Sequence, residues 1–436
     1  MHHTPTTPPV SPALPRRDFL KTTAAAATTA ALATPRFLTA AERARSIGAN
    51  DRIRIAQIGC GSRGVGAHMK GGILPHVQET NFEIVALADP WRQHREEANA
   101  LVKTTFGRDA KMFSSYRDLL AMDGIDAVMI ASPDFHHTTH LEAAAKARKH
   151  IYIEKPLATD FAKLLRAYDA AKAAQAAGSV IQVGTQLRSL PGVTGARQIV
   201  LDGTIGKINR IDECRNGEKP YWYQYLGREV TAADVDWKEF LGDSPKQPFD
   251  ARKLSAWYGY YEFCQGPVPQ WGAHFLDLMH YVTGCGIPES CMCLGGVMTW
   301  KDENKFTTPD NVTATWIYPE GFVVTSSNNF GNSAGNTRKF FGSKGTLAVD
   351  NWNAPTYSAE GGPKRDGQIR GKIDVPQVAR PDHFRNWLDC VRSGETPHAN
   401  IDAGYQHAVA VMMAVISYDT GRKTIYDPKA RAIKTA

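Results

Sequence analysis

The sequence predicts an α/β chain, a doubly wound parallel sheet followed by a second domain of α+β type. Three observations predict it. At 436 residues the chain exceeds one ordinary core and calls for two. From Arg52 to about residue 186, short continuously apolar runs alternate with helix-length segments, the pattern of βαβ units around a parallel sheet. After Gln186, Trp, Tyr, Gly and Pro become frequent and several runs alternate apolar with polar, as half-buried antiparallel strands do.

Taken in order, Ile53–Ile58 is a strand that runs into a glycine-rich turn. Phe82–Ala88 is the second, ending at Asp89, and Ile125–Ile130, Ile151–Ile153 and Val180–Val183 are further short strands. Arg92–Thr104, His140–Lys149 and Phe161–Ala177, rich in Ala, Glu and Lys, are the helices between them. This assigns residues 51–186 to the first domain and 187–436 to the second. In the second, Val312–Ile317 and Gly321–Thr325 read as paired strands across Pro319-Glu320. Ala403–Thr420 reads as a helix stopped by Gly421.

The first 33 residues read as an address. Arg16-Arg17-Asp18-Phe19-Leu20-Lys21 precedes a mild apolar run, Ala24–Ala33, that closes on Ala31-Leu32-Ala33. Basic start, short apolar stretch and A-x-A site are the parts of a secretory signal, and the paired arginines resemble the bacterial twin-arginine type. The expectation is export to the periplasm or beyond, with residues 34–50 as a linker and no membrane span in the mature form. No run reaches the roughly 18 apolar residues that a span needs. Two units of the +7 formal charge belong to the first 33 residues, and the rest is scattered. A clustered basic face is therefore missing, and no nucleic-acid partner is expected. The seven cysteines lack convincing metal-site spacing, Cys291-x-Cys293 having no second pair. No metal site is assigned, and the thiols are expected to be buried and inert.

Gly59-Cys60-Gly61-Ser62-Arg63-Gly64 is a G-x-G-x-x-G that follows a predicted strand and opens a helical segment. The first glycine turns the chain tightly, the second lets backbone approach a pyrophosphate, and the third lets helix pack on strand. The helix start attracts the phosphates. Asp89 ends the second strand, where an acid binds ribose hydroxyls. This is a Rossmann dinucleotide site, with Gly59, Gly61, Ser62, Arg63, Gly64 and Asp89 against the cofactor. Asp89 favours NAD. Arg63 and Arg92 stand near enough in sequence to keep NADP as the alternative.

Ser132-Pro133-Asp134-Phe135-His136-His137 follows the fourth main strand, and Glu154-Lys155-Pro156 ends the next. Ligands in open α/β sheets sit beyond the carboxyl ends of strands, which brings Ser132, Pro133, His137, Glu154 and Lys155 to the nicotinamide end. Gln186 and Arg188 follow the last of these strands, and Arg188 is a candidate for contact with substrate. Tyr221–Tyr225 and Trp257–Tyr261 are aromatic clusters that suit the C–H faces of a sugar or the core equally well.

With these motifs, and with Asn386–Gly394 and Pro397 near the end, the chain resembles the Gfo/Idh/MocA family from about Arg52 onward. The resemblance implies a second domain built on a large open, mostly antiparallel sheet, and a homo-oligomer formed by packing such sheets. It implies that Lys155 is the catalytic lysine, polarising the reacting oxygen, held by a cis peptide to Pro156. It further implies that Gln270–His280 carries the proton acceptor. His274 matches the family histidine of an Asp-x-x-x-His pattern and suits general-base work. Gln270 stands where that pattern has aspartate and binds substrate without taking a proton. Asp277, one helical turn beyond His274, is the expected orienter of the imidazole.

The reading is an NAD(P)-dependent oxidoreductase that moves a hydride between nicotinamide and a ring hydroxyl or ketone of a sugar, cyclitol or sugar derivative. One alternative uses the same parts for transient oxidation, elimination and re-reduction, a redox-assisted glycoside hydrolase with tightly bound NAD. The other is a non-enzymatic nucleotide- or sugar-binding protein on the same fold.

Overall fold

A computed structural model of the chain describes residues 51–362 and 368–436. The expected signal and linker, residues 1–33 and 34–50, lie outside the described residues.

Six parallel strands form the first sheet: β1 (Ile53–Ile58), β2 (Phe82–Ala88), β3 (Lys111–Phe113), β4 (Ala127–Ile130), β5 (His150–Ile153) and β6 (Ile181–Val183). Their spatial order is β3-β2-β1-β4-β5-β6. The chain starts in the centre, winds outward to β3, then crosses to β4 and winds the other way. The crevice between β1 and β4 is thus a switch point where such sheets bind ligands. Helices cover both faces, so β4 and β6 are buried at every position, which explains the unbroken apolar run of β4; in β6 the buried Gln182 donates to the His383 carbonyl at 2.8 Å. The short strand β3 carries no apolar run, its Lys111 and Met112 being exposed, and it escapes a search based on hydrophobicity.

Among the described residues the second sheet has ten strands: β7 (Ile208–Asn216), β8 (Ser290–Gly296), β9 (Asn311–Tyr318), β10 (Phe322–Asn329), β11 (Thr337–Gly342), β12 (Gly345–Ala348), β13 (Thr356–Ala359), β14 (Lys372–Asp374), β15 (Thr424–Asp427) and β16 (Ala432–Thr435). Their order is β14-β13-β12-β11-β7-β10-β9-β8-β15-β16, with β7, β10, β9 and β8 at the centre. Among the described residues of this sheet only β7 and β10 pair in parallel, and the remaining pairs are antiparallel. Period-2 alternation is plain on β9, where Val312, Ala314, Trp316 and Tyr318 are buried. That face lies under the helices Ala273–Thr283 and Ile401–Thr420, and Trp316 Nε1 donates to the Ala410 carbonyl at 2.9 Å. The opposite face leaves Leu294 63% and Ile317 44% exposed.

The chain does not divide cleanly at residue 186. The helix His383–Ser393 returns to the first sheet and buries Phe384, Trp387 and Leu388 against Met69, Tyr152 and their neighbours. Val183 N donates to the Ala399 carbonyl at 2.8 Å, and Gln182 bridges Asn400. Residues 383–400, placed by sequence in the second domain, therefore complete the core of the first. Apolar burial on a distant sheet outweighs proximity along the chain.

Candidate functional site

A cleft holding about 1100 Å³ of empty space, open solvent at its mouth included, lies beyond the carboxyl ends of β1, β2, β4 and β5. The glycine turn forms its floor. Gly59 has φ +84°, and a Cβ there would lie 2.5 Å from Ala131 and Ser132 backbone. A Cβ on Gly64 would lie 2.1 Å from the Gly59 carbonyl oxygen. Both positions therefore require glycine for the turn and for helix-on-strand contact. The helix it opens, Arg63–Ile73, is wound in π fashion, with Ser62 as its cap. Gly61, Ser62 and Arg63 line the cleft.

Asp89 sits at the end of β2 on that lining. Its Oδ2 accepts from Cys60 N at 2.7 Å and its Oδ1 from Trp91 N at 2.9 Å, with His94 Nδ1 3.4 Å away. Burial pushes the carboxyl up, but His94 and the two amides outweigh it and hold Asp89 below the usual range. Arg92, weighed above for a 2′-phosphate, hydrogen-bonds instead to Asp234 and Glu96. A narrow glycine floor and a fixed carboxylate are what a dinucleotide requires, and these residues fit NAD.

The loops after β4 and β5 are pinned together by His137, whose Nε2 lies 2.9 Å from the Ser132 carbonyl and whose Nδ1 lies 2.6 Å from the Pro156 carbonyl. Ser132 Oγ meets His140 Nδ1 at 3.0 Å. Ser132, Pro133 and His137 all line the cleft. The Lys155–Pro156 peptide is cis.

Glu154 is buried at the Lys155 end of the cleft. Its Oε1 faces His68 Nε2 and accepts from Gln186 Nε2, both at 3.2 Å, and Arg63 Nε stands 4.0 Å away. Burial alone would raise its proton affinity; Arg63 and His68 reverse the sign and keep it ionised. Glu154 thus acts as an anchor for Arg63 and His68.

Lys155 is buried, yet its Nζ lies on the cleft, donating to the Gln270 carbonyl at 2.9 Å and to Gln270 Oε1 at 3.3 Å. Burial, then Arg63, bring its ammonium down to about 8. Gln270 in turn donates through Nε2 to Asp134 Oδ2. The second domain meets the first at this three-residue bridge.

His274, one turn further, is half-buried, and its Nδ1 has no hydrogen-bond partner among the described residues. Burial, followed by the Lys155 charge, lowers its pKa well below the ordinary histidine value, so the ring is neutral at neutral pH and a weak proton acceptor, and His274, expected to be the general base, is absent from the cleft lining. Asp277 does not orient it. Asp277 is fully buried on the far side, where Oδ2 accepts from Arg188 Nε at 2.7 Å and Oδ1 lies 3.4 Å from His407 Nδ1. A helix turn separates the two side chains, and the guanidinium draws the carboxylate away. Arg188, expected at the substrate, is consumed by that pair and is absent from the cleft lining.

Three aromatic residues line the outer wall. Trp257 stacks on Tyr258 at 3.7 Å between centroids, and Tyr258 stacks on Tyr225 at 5.4 Å, with Arg228 beside them. Trp222 and Tyr260, from the same two sequence clusters, are instead buried with Phe306. The sequence reading missed Asp134, His94 and Trp91. Asp134 lay inside a motif read for its proline and histidine, and nothing in its spacing showed that it would face Lys155.

Residues 53–185 match the oxidoreductase family with NAD-binding Rossmann fold, and residues 229–348 match the GFO/IDH/MocA C-terminal domain. The chain is 25% identical over 241 residues to 2,7-anhydro-N-acetylneuraminate hydratase of Escherichia coli (strain K12), which covers 54% of this chain and 55% of that protein. It is 29% identical over 181 residues to glycosyl hydrolase family 109 protein 2 of Shewanella sp. (strain ANA-3), 37% of each chain. The chain thus spans about half or less of the length of these curated relatives. Its fold is that of the WlbA dehydrogenase from Bordetella pertussis, solved with NADH and UDP-GlcNAcA: TM-score 0.63, 19% identity, 85% of this chain and 98% of that one. Glycine floor, ribose acid, Glu-Lys-Pro strand end and ten-stranded sheet occur together here, and the chain belongs to the GFO/IDH/MocA family of oxidoreductases with an NAD-binding Rossmann domain.

Proposed function

We propose that the protein oxidises a ring hydroxyl, or reduces the corresponding ketone, of a sugar, cyclitol or sugar derivative. The observation that carries this reading is Lys155 Nζ. It is a buried ammonium held on the cleft by two Gln270 oxygens, with one proton left for a substrate oxygen. Bound NAD supplies the hydride acceptor. The floor from Gly59 to Gly64 and the Asp89 carboxylate would hold it. Lys155 steadies the developing alkoxide, and Tyr225, Trp257 and Tyr258 offer apolar faces to a sugar ring. The proposal extends to a homo-oligomer through the exposed face of the ten-stranded sheet and to export by the residue 1–33 signal.

The test is a panel of neutral aldoses, cyclitols and uronic acids with NAD and with NADP, read by absorbance of reduced nicotinamide. Turnover of a panel member that falls by about 10³-fold or more in Lys155→Met supports the reading. Undiminished turnover in that variant refutes it. The family 109 glycosyl hydrolase relative favours a second reading, in which the same oxidation is transient and a glycoside is cleaved. Release of p-nitrophenol from a nitrophenyl glycoside with no net reduced cofactor would separate the two.

A further inference from the structure

Four carboxyl groups line the cleft: Asp89, Asp134, Glu154 and Glu239. Three are committed. Asp89 accepts two backbone amides. Glu154 faces His68, Gln186 and Arg63. Glu239 accepts from Ser115 Oγ at 3.0 Å and pairs with Arg117 at 3.2 Å. Asp134 is different. It is 3% exposed, lies at the start of a short 3-10 turn after β4, and among the described residues makes no ion pair and accepts no backbone amide. Its hydrogen-bond partners are uncharged, the Gln270 side-chain amide and the Cys264 thiol. The same Gln270 holds Lys155 Nζ through its carbonyl and its Oε1.

Resting on the oxidoreductase reading, we propose that Asp134 is the carboxyl that exchanges the substrate hydroxyl proton at the Lys155 end of the cleft, with Gln270 positioning it. In the oxidation direction bound NAD would take up the substrate C–H pair as hydride. The O–H pair becomes the second bond of the carbonyl, and the proton passes to an Asp134 oxygen. Reduction runs the same transfers backwards. A carboxylate tied to a guanidinium or to two amides is poorly placed for this, because its charge is already stabilised. A carboxyl whose neighbours are an amide and a thiol changes its proton state at small cost. Burial pushes Asp134 up to about 8, opposed by the Lys155 charge, which is the range a proton-exchanging group needs. The groups that act on it are Lys155, Glu154 and Cys264, with the phenols of Tyr221 and Tyr258 nearby. Asp134 and Lys155 titrate together, so the pH behaviour belongs to the pair.

The first test needs no substrate. Infrared spectra of the NADH-loaded protein should show a protonated-carboxyl band at about pH 6 that vanishes by about pH 10, and Asp134→Asn should lack it. A spectrum with no such band, or one unaltered in Asp134→Asn, overturns the proposal. The second test uses the panel sugar with the highest turnover. Asp134→Asn should bind NADH as the wild type does, lose about 10²- to 10⁴-fold in kcat, and lose the pH dependence near 8 in both directions. The exchanged pair Asp134→Asn with Gln270→Asp returns a carboxyl to the same bridge and should recover at least about tenfold of that loss. Retention of kcat in Asp134→Asn, or failure of the exchanged pair to recover any, overturns the assignment. If no panel sugar is turned over by the wild type, the oxidoreductase reading fails by itself, and the infrared result decides the Asp134 assignment.

Discussion

Asp277→Asn should be a stability variant, although Asp277 lies one helical turn from His274, the histidine that the sequence offered as general base. The carboxylate is fully buried and is held by Arg188 at 2.7 Å, with His407 at 3.4 Å on its other oxygen. Burial would raise its pKa, but Arg188, then His407, hold it well below the ordinary carboxylate range. The amide keeps the shape and removes the charge, leaving the Arg188 guanidinium buried without its partner. Breaking such a pair from one side costs about 3–5 kcal/mol. The sign with pH follows from the depressed native value. The pair contributes fully above the unfolded carboxyl's pKa of about 4 and loses its contribution as the pH falls through the lower native range. Denaturant unfolding followed by tryptophan fluorescence at about pH 7 should therefore show the full deficit. The gap between variant and wild type should narrow below about pH 4. NADH affinity of the folded variant should be unchanged, and kcat at low temperature should fall by less than about tenfold. A variant as stable as the wild type that turns over nothing would refute this placement and return Asp277 to the chemistry.

Gly64→Ala should fold and lose NADH binding by about 100-fold, roughly 3 kcal/mol, because its Cβ would meet the Gly59 carbonyl oxygen at 2.1 Å and push the helix off the turn. Isothermal titration with NADH reads the loss, and wild-type affinity would sink the account of the cleft floor. On the exposed sheet face, Leu294→Lys with Ile317→Lys should convert an oligomer to single chains in sedimentation velocity, since both side chains stand out from adjacent strands. A wild type that already sediments as a single chain at every concentration would remove that face as an interface.

Legibility in the sequence followed the range of the forces involved. The parallel strands β1, β2, β4, β5 and β6 announce themselves because both faces of the sheet are covered and most of their positions are apolar and buried. The glycine turn is readable because Gly59 and Gly64 answer to backbone contacts within a few residues or to the adjacent strand. The return of residues 383–400 to the first sheet was not readable, since nothing local to Phe384 or Trp387 names the surface that buries them. Arg188 and Asp277 show the same limit. Each was judged by its neighbours in sequence, and each is governed by the other, 89 residues away.

The two ends of the cleft differ in what holds their charges. Asp89 is fixed by two backbone amides, so its position follows from the turn and strand that also create the pyrophosphate floor. Lys155 and Asp134 are held across the cleft by one residue, Gln270, which comes from the second domain. Backbone donors neither rotate nor titrate, and they suit the end that binds one cofactor in one way. Side-chain donors permit a carboxyl and an ammonium to change proton state together, and they suit the end where bonds to hydrogen are made and broken. A substitution at Gln270 should therefore alter the reaction's pH dependence while leaving NADH affinity as it was, and a substitution at Cys60 or Trp91 should not produce that pattern.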